Sequence, residues 1–259
     1  MTNIDHKKVV SFSNVSKSYR RPGLFKSLEI PALRGLSLDL ERGEIAGLLG
    51  LNGAGKTTIM KLMTGLLFPD AGSISIFGLS PSDVNTKKRI GFLPELPYFY
   101  PYSTAAEALL YYAGLSGLKG AEARSRVDAI IEKVGLKPHA AKKAAEFSKG
   151  MMQRLGVAQA IVHDPELLIL DEPVSGLDPL AIHEIRNLIS DFNGSNRTVF
   201  LSSHSISELE KVSDRVFILV QGRLAKTVAR AEWENVKGGL EEIFVNAVKT
   251  PVTGDSYPA

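Results

Sequence analysis

The segment that most constrains the fold is Gly50–Thr57, which reads Gly-Leu-Asn-Gly-Ala-Gly-Lys-Thr and matches the pattern G-x-x-x-x-G-K-[ST] in full. Glycines in such a segment allow a tight loop whose backbone N–H groups converge on an anion. The apolar run EIAGLLG at 44–50 favours a buried strand before the loop, and IMKLMTGLL at 59–67 favours a helix after it. This order predicts a phosphate-binding loop, with contacts from Gly50, Leu51, Asn52, Gly53, Ala54, Gly55, Lys56, Thr57 and Thr58.

Two carboxylates follow a second apolar run, LLILDEP at 167–173. In this pattern Lys56 places a positive charge against the β and γ phosphates, and the Thr57 hydroxyl is a ligand for magnesium. Asp171 can hold the same ion through water, and Glu172 can orient or deprotonate an attacking water. An Asp-Glu pair alone is a weak signal, but together with the phosphate loop it indicates nucleotide hydrolysis.

Short apolar runs occur both before and after a central segment with a helical pattern. LRGLSLDL at 33–40 alternates like a half-buried strand, whereas LLILDEP, TVFLSS and RVFILV are continuous runs, with helical patterns between the first two. Residues 104–163 are mostly helical in pattern. The arrangement predicts a parallel α/β core with a helical insertion.

Composition excludes several classes of site and partner. With no cysteine, the chain has no disulfide, iron–sulfur cluster or thiolate zinc site. The net charge of +3, without a long basic run, gives no reason to expect a nucleic-acid partner. The N-terminus has no apolar core of a secretory signal, and the stretch ALLYYAGLSGL at 108–118 is too short to cross a bilayer. We therefore expect no membrane span, although a partner could hold the chain on a membrane.

The segment EFSKGMMQRLGVAQAIVHDPELLILDEPVSGLDP at 146–179 resembles the signature, Walker B and D-loop block of the nucleotide-binding subunits of ATP-binding cassette (ABC) transporters. Their signature is usually written LSGGQ, and here it is Phe-Ser-Lys-Gly-Met at 147–151. Ser148 and Gly150 occupy the positions that contact the γ-phosphate bound to the opposite subunit. Lys149 and Met151 depart from the common form, but the resulting SKGM resembles an exporter-type subgroup. Ser148 can also be a plain helix cap.

The resemblance runs from about residue 9 to 247 and implies a P-loop NTPase core with a mixed or parallel sheet, an antiparallel β subdomain near the N-terminus and a helical signature subdomain. We expect one domain over 1–247, with the core at about 9–94 and 165–247, the helical subdomain at about 95–164, and a loose tail at 248–259.

The implied function is an ATP-hydrolysing motor that uses ATP and Mg²⁺ and drives export through a separate membrane-spanning subunit at the inner face of the cell membrane. The chain would act as a homodimer or paired with a related subunit. The alternative is an ABC-type ATPase of translation or chromosome maintenance, but the chain has a single cassette and no heptad run.

Four further positions take roles from the resemblance. Tyr19 matches the aromatic residue that stacks on adenine, although a lone tyrosine is more often a core residue. His204 matches the histidine that bonds the γ-phosphate and holds Glu172, and Asp178 matches the residue that couples the two sites of the dimer. Glu95 replaces a glutamine that reaches magnesium; a carboxylate also binds a hard cation, but its charge could slow turnover.

The segment IGFLPELPYFYPYS at 90–103 contains an aromatic loop, in which four rings at 98–100 and 102 lie around Pro97 and Pro101. The residues alone favour two interpretations equally: the rings pack within the loop itself, or they form a surface on which a partner docks. The resemblance favours docking, because in the family this loop receives the coupling helix of the membrane subunit. The docking residues are then Tyr98, Phe99, Tyr100 and Tyr102.

Overall fold

The computed structural model describes residues 8–22, 28–194 and 196–250, and contains two sheets. The smaller sheet has three antiparallel strands in the order β2-β1-β4. Its two long strands pair side by side, and register shifts between Phe12 and Ser18 accommodate their irregular pairing. The strands are β1 (Lys8–Arg21), β2 (Leu28–Glu41) and β4 (Ala71–Ile76).

The larger sheet has six strands in the order β5-β6-β7-β3-β8-β9, and only the last strand is antiparallel to its neighbour. Parallel strands end at one edge, so the loops that follow β3, β6 and β7 lie side by side there. The register pairs Leu49 with Ser203 and Leu170 with Leu201 at that edge. The strands are β3 (Ile45–Leu49), β5 (Ile90–Leu93), β6 (Leu167–Leu170), β7 (Thr198–Ser203), β8 (Arg215–Val220) and β9 (Arg223–Ala229).

Helices flank this sheet, and three of them form the insertion between β5 and β6. The insertion begins at Thr104, whose hydroxyl caps α3 while Glu107 reaches back to the Thr104 N–H, a capping box that defines the start of the helix. Two 3₁₀ turns, Lys137–His139 and Ala144–Glu146, precede α5. The helices are α1 (Lys56–Met63), α2 (Val84–Lys87), α3 (Ala105–Leu115), α4 (Gly120–Lys133), α5 (Lys149–Ile161), α6 (Pro179–Asn193), α7 (Ile206–Val212), α8 (Arg230–Glu234) and α9 (Gly239–Lys249).

The central strand β3 is buried on both faces, which explains its continuous apolar sequence. Ile45 and Leu49 pack into the core formed with the helical insertion, α6, α7 and α9. Ala46 and Leu48 point to the other face and pack against α1 and the antiparallel sheet. The large sheet therefore separates two hydrophobic cores, and its carboxyl edge is held rigidly from both sides.

These features confirm the predicted fold class, including the antiparallel β subdomain and the helical insertion, while the exact domain limits stay a prediction. The predicted tail at 248–259 starts too early: α9 continues through Lys249, because Leu240 and Ile243 anchor it to the core. Residues 251–259 lie outside the described residues. No helix of the described chain has the length and apolar character needed to cross a membrane.

Candidate active site

The phosphate loop leaves the buried end of β3 and enters α1 at Lys56. Gly55 adopts φ +110°, a conformation that L side chains rarely adopt, and a Cβ placed there would approach Ala32 O to 2.7 Å. Only glycine fits this position without displacing the backbone of β2. The loop keeps its tight shape through hydrogen bonds from Ala54 N–H to Leu51 O and from Gly222 N–H to Ala54 O.

Lys56 is buried to 7% exposure at the start of α1. Its ammonium donates to Gly50 O at 2.7 Å and lies 3.3 Å from Oε1 of Glu172. A buried ammonium is stable only when its charge is compensated, and the Glu172 carboxylate supplies that compensation. A positive group at a helix N-terminus, beside converging N–H groups, is suited to an anionic ligand.

Glu172 is 8% exposed and is the second residue after β6, in the left-handed region at φ +49°. Its Oε2 accepts a hydrogen bond at 2.8 Å from Nδ1–H of His204, which follows the neighbouring strand β7. The carboxylate is thus held between the Lys56 ammonium and the His204 ring. A carboxylate fixed in this way at the edge of a cavity can accept a proton from a water positioned there.

Asp171, the first residue after β6, is 3% exposed. Its N–H donates to Leu93 O at 2.9 Å, and its Oδ1 accepts from the Ser202 hydroxyl at 2.6 Å. Ser202 also accepts from the Glu172 N–H at 3.0 Å. Ser202 is not among the residues predicted from the sequence; the available signal was a hydroxyl within an apolar strand run, two residues before His204.

A cavity of about 510 Å³ opens in front of these groups. It brings together most of the predicted nucleotide-binding residues with Glu95, Glu172 and His204. At the far side the Tyr19 hydroxyl lies 3.2 Å from Thr58 Oγ1. The lining residues that the sequence analysis did not predict are Ile30, Pro31, Ala32 and Ser175, and the predicted ones are Tyr19, Leu51, Asn52, Gly53, Gly55, Lys56, Thr57, Thr58, Glu95, Glu172 and His204.

The remaining predicted residues lie outside the lining of this cavity. Gly50 presents its carbonyl to Lys56, and Ala54 is buried in the core beneath the loop. Ser148 caps α5 by accepting from Met151 N–H at 3.2 Å, and Asp178 caps α6 by accepting from two backbone N–H groups. The others outside the lining are Lys149, Gly150 and Asp171.

The aromatic loop is divided between surface and core. Tyr98, Tyr100 and Tyr102 are 78%, 68% and 70% exposed. Phe99 is 5% exposed and packs edge-on against Tyr112 with ring centroids 5.9 Å apart. The prediction that Phe99 is a docking residue is therefore wrong: alternating residues of this loop point to opposite sides, and Phe99 closes the core of the helical insertion.

Comparison with known proteins decides the family. The family model for ABC transporters matches residues 33–175, more than half of the chain. The chain belongs to the ABC transporter family. Its phosphate loop, Asp171 and Glu172 all lie within the matched region.

The cassette is similar to several bacterial ATP-binding proteins. It is 43% identical over 218 residues to an ABC transporter ATP-binding protein of Nostoc sp., covering 83% of this chain but 65% of the Nostoc protein. It is 40% identical over 227 residues to the bacitracin transport protein BcrA of Enterococcus faecalis, covering 86% and 70% of the two chains. The linearmycin resistance protein LnrL of Bacillus subtilis is 36% identical over 249 residues, covering 92% and 78%. The cassette thus spans less than two thirds of the length of the Nostoc protein, and more than two thirds of the lengths of BcrA and LnrL.

Solved structures show the same fold. One, an ATP-binding subunit of an ABC transporter, has a TM-score of 0.80 and 30% identity, covering 93% of this chain and all of that chain. Another, the dimeric cassette MJ0796 in a post-hydrolysis state with ADP and Pi, has a TM-score of 0.77 and 25% identity, covering 85% and 98%. The fold and family expected from the signature block are thereby confirmed.

Proposed function

We propose that this chain is the ATP-hydrolysing motor subunit of an ABC exporter. The observation that carries the proposal is the position of Glu172, whose carboxylate is held between Lys56 and His204 at the wall of the cavity. This arrangement combines a cation for the phosphates with a base for the attacking water. BcrA is named a bacitracin transport protein and LnrL a linearmycin resistance protein, and these names support a transport role over the alternative in translation or chromosome maintenance.

ATP would lie with its phosphates in the loop Gly50–Thr58 and its base beside Tyr19. The free N–H groups at the start of α1 and the Lys56 ammonium complement the phosphate charge. Tyr19, with Ile30 and Pro31 on the adjacent strand β2, offers an apolar surface on which adenine can stack. A cavity of about 510 Å³ is large enough for a nucleotide.

The residues also fit a magnesium ion. Thr57, with its hydroxyl, and Glu95, with its carboxylate, line the cavity, and the Asp171 carboxylate precedes the lining residue Glu172 in the chain. Oxygen ligands of this kind suit magnesium, which usually keeps several waters and is completed by substrate phosphates. When bound, magnesium neutralises phosphate charge.

Hydrolysis then requires Glu172 to accept a proton as water attacks the γ-phosphorus. The new bond joins the water oxygen to phosphorus, the bond to the β–γ bridging oxygen breaks, and ADP and phosphate leave. Lys56 balances the negative charge of the phosphates, and His204 keeps the Glu172 carboxylate oriented by its 2.8 Å hydrogen bond. Proton transfer to a positioned base contributes about 10²–10⁴-fold to such a rate.

A second subunit would complete the site. Ser148, Lys149 and Gly150 form the N-terminal turn of α5 outside the cavity of their own chain, so they can serve the nucleotide of a partner. Asp178 would couple the two sites. The dimeric state of the MJ0796 cassette supports this arrangement. The partner is a second copy or a related cassette.

Docking to a membrane-spanning subunit would use Tyr98, Tyr100 and Tyr102, whose rings are exposed at the entrance to the helical insertion. Tyrosine offers large contact area at low entropic cost and is enriched at interfaces. Such docking would hold the chain at the inner face of the cell membrane, with the cargo chosen by the membrane subunit.

The test is ATP turnover by the purified chain. We expect magnesium-dependent hydrolysis that Glu172→Gln abolishes while ATP binding persists, since the amide cannot accept the proton. Glu241→Gln, at an exposed glutamate of α9, is the matched control and should retain the wild-type rate. Turnover by Glu172→Gln at the wild-type rate would refute the hydrolytic role. Recovery of a multi-span membrane protein with tagged Glu172→Gln and ATP tests the transport role.

A further inference from the structure

We propose that Ser202 is a positioning residue for ATP hydrolysis, acting through both carboxylates that follow β6. The inference rests on the proposed function, because it assigns Ser202 a share in placing the base that function requires. Ser202 touches neither the cavity nor a ligand position. It therefore acts through Asp171 and Glu172.

The Ser202 hydroxyl makes two hydrogen bonds to adjacent residues of one loop, one as donor and one as acceptor. It donates to Asp171 Oδ1 at 2.6 Å and accepts from Glu172 N–H at 3.0 Å. A hydroxyl has a single proton, so the bond to Asp171 determines its orientation and directs a lone pair at Glu172. Within the described chain, Ser202 is the one hydrogen-bond donor to the Asp171 carboxylate.

The hydrogen bond from Glu172 N–H to Ser202 matters because the backbone of Glu172 has an unfavourable conformation. Glu172 has φ +49°, a left-handed conformation that a residue other than glycine keeps only when its surroundings hold it. The loop is held by the bond from Glu172 N–H to Ser202 on one side and by Ser175 N–H to Glu172 O, at 3.1 Å, on the other. Without the first bond, the carboxylate would lose part of its fixed position between Lys56 and His204.

The burial of Ser202 leaves no substitute for the hydroxyl. Ser202 is 0% exposed on β7, which lies between β6 and β3, so water cannot readily replace the missing oxygen. A change to alanine thus leaves the Glu172 N–H and the Asp171 carboxylate without this partner. Substitutions of groups that hydrogen-bond metal ligands typically cost about 10–100-fold in metal affinity or activity, and Asp171 is such a ligand in the proposed function.

Thr198 provides a matched control on the same strand. It is 1% exposed, accepts from Gly43 N–H at 3.0 Å and donates to Glu41 O at 3.4 Å. Like Ser202, it is a buried hydroxyl that bridges two groups, but it lies at the opposite end of β7 from the cavity. If Ser202 only stabilised the strand, the two substitutions would affect turnover alike.

The experiment compares steady-state ATP hydrolysis and unfolding of the wild-type chain with Ser202→Ala, Ser202→Thr and Thr198→Val. We expect Ser202→Ala to lower kcat about 10–100-fold with KM for ATP within about threefold, because the phosphate loop is untouched. Ser202→Thr keeps the hydroxyl and should recover most of the rate. Thr198→Val should lower the unfolding midpoint while leaving kcat near wild type.

Three results would overturn the proposal: wild-type kcat in Ser202→Ala, a rise in KM that accounts for the whole loss, or an equal loss in Thr198→Val. If Ser202→Ala fails to fold, Ser202→Cys replaces it, since a thiol is a weaker donor. An intermediate kcat then supports the role of Ser202, and a wild-type kcat refutes it.

The Glu172→Gln variant distinguishes failure of the Ser202 proposal from failure of the proposed function. If it loses turnover while Ser202→Ala does not, the proposed function stands and the role of Ser202 falls; if the wild-type chain hydrolyses no ATP, the proposed function fails.

Discussion

Oε2 of Glu172 accepts a hydrogen bond from Nδ1–H of His204 at 2.8 Å, joining a nearly buried carboxylate to a ring that is 58% exposed. The two residues are 32 positions apart and meet because β6 and β7 are neighbours in the sheet. The exposed part of the ring lines the cavity. The imidazole can therefore contact a ligand and the carboxylate at the same time.

Replacing His204 by alanine should lower ATP turnover about 10- to 100-fold, because a hydrogen bond to a charged group contributes about 1.5–3 kcal/mol. His183→Ala is the control: among the described residues, this exposed histidine of α6 has a hydrogen bond only with Asn187, one turn away. Steady-state kinetics of both variants check the prediction. Equal rates for His204→Ala and His183→Ala would show that the ring does not support Glu172.

Two substitutions at Tyr19 should distinguish the contribution of its ring to ATP binding from that of its hydroxyl. Tyr19→Ala removes the surface for the base and should weaken ATP binding about 5- to 100-fold, since base–aromatic stacking contributes about 1–3 kcal/mol. Tyr19→Phe loses only the 3.2 Å contact with Thr58 Oγ1 and should bind ATP within about threefold of wild type. Titration with a fluorescent ATP analogue measures both. Equal losses would assign the effect to the hydroxyl.

Alanine substitutions at neighbouring positions of the aromatic loop should change the free energy of unfolding by different amounts. Phe99→Ala removes a ring buried in the helical insertion and should lower the free energy of unfolding by about 3–5 kcal/mol. Tyr98→Ala, at a residue that is 78% exposed, should change it by about 0.5 kcal/mol or less. Urea unfolding checks the pair. Similar stabilities would contradict the burial of Phe99.

Acid should destabilise the chain partly through Glu166. The Arg89 guanidinium, which donates from Nε to Oε1 at 2.5 Å, lowers the pKa of the Glu166 carboxyl from its usual 4.5. A carboxyl with a lower pKa in the folded state stabilises the fold above its unfolded pKa, and this stabilisation is lost as pH falls through the folded pKa. The effect is modest because the Glu166 side chain is 41% exposed.

Glu166→Gln should therefore unfold more readily than wild type at neutral pH, and the difference should shrink below about pH 4.5. Thermal unfolding measured from neutral pH to about pH 3 gives this comparison. Glu122→Gln, at an exposed glutamate of α4, should track the wild type throughout. A difference that stays constant with pH would show that the Arg89 pair does not contribute through ionisation.

Much of the site was predictable because its signals are local. The phosphate loop needs glycines at set positions for its backbone, as Gly55 at φ +110° shows. Lys56 and Glu172 follow apolar runs that end at the carboxyl edge of a parallel sheet. The order of the signature and Walker B segments then indicated the family, and matches to the family's pattern predicted roles for Ser148 and for His204 in LSSH at 201–204.

Local pattern determined the α/β class, the phosphate loop and the identity of the charged residues beside it, since backbone conformation and strand burial depend on neighbouring residues. Tertiary structure alone decided which distant groups meet: Ser202 reaches Asp171 and Glu172 only because β7 lies beside β6, and Ile30 joins the cavity only because β2 pairs with β1 at Tyr19. It also decided that Phe99 turns inward while Tyr98 stays exposed. Such contacts depend on strand order and on the space left by packing, which residue spacing does not encode.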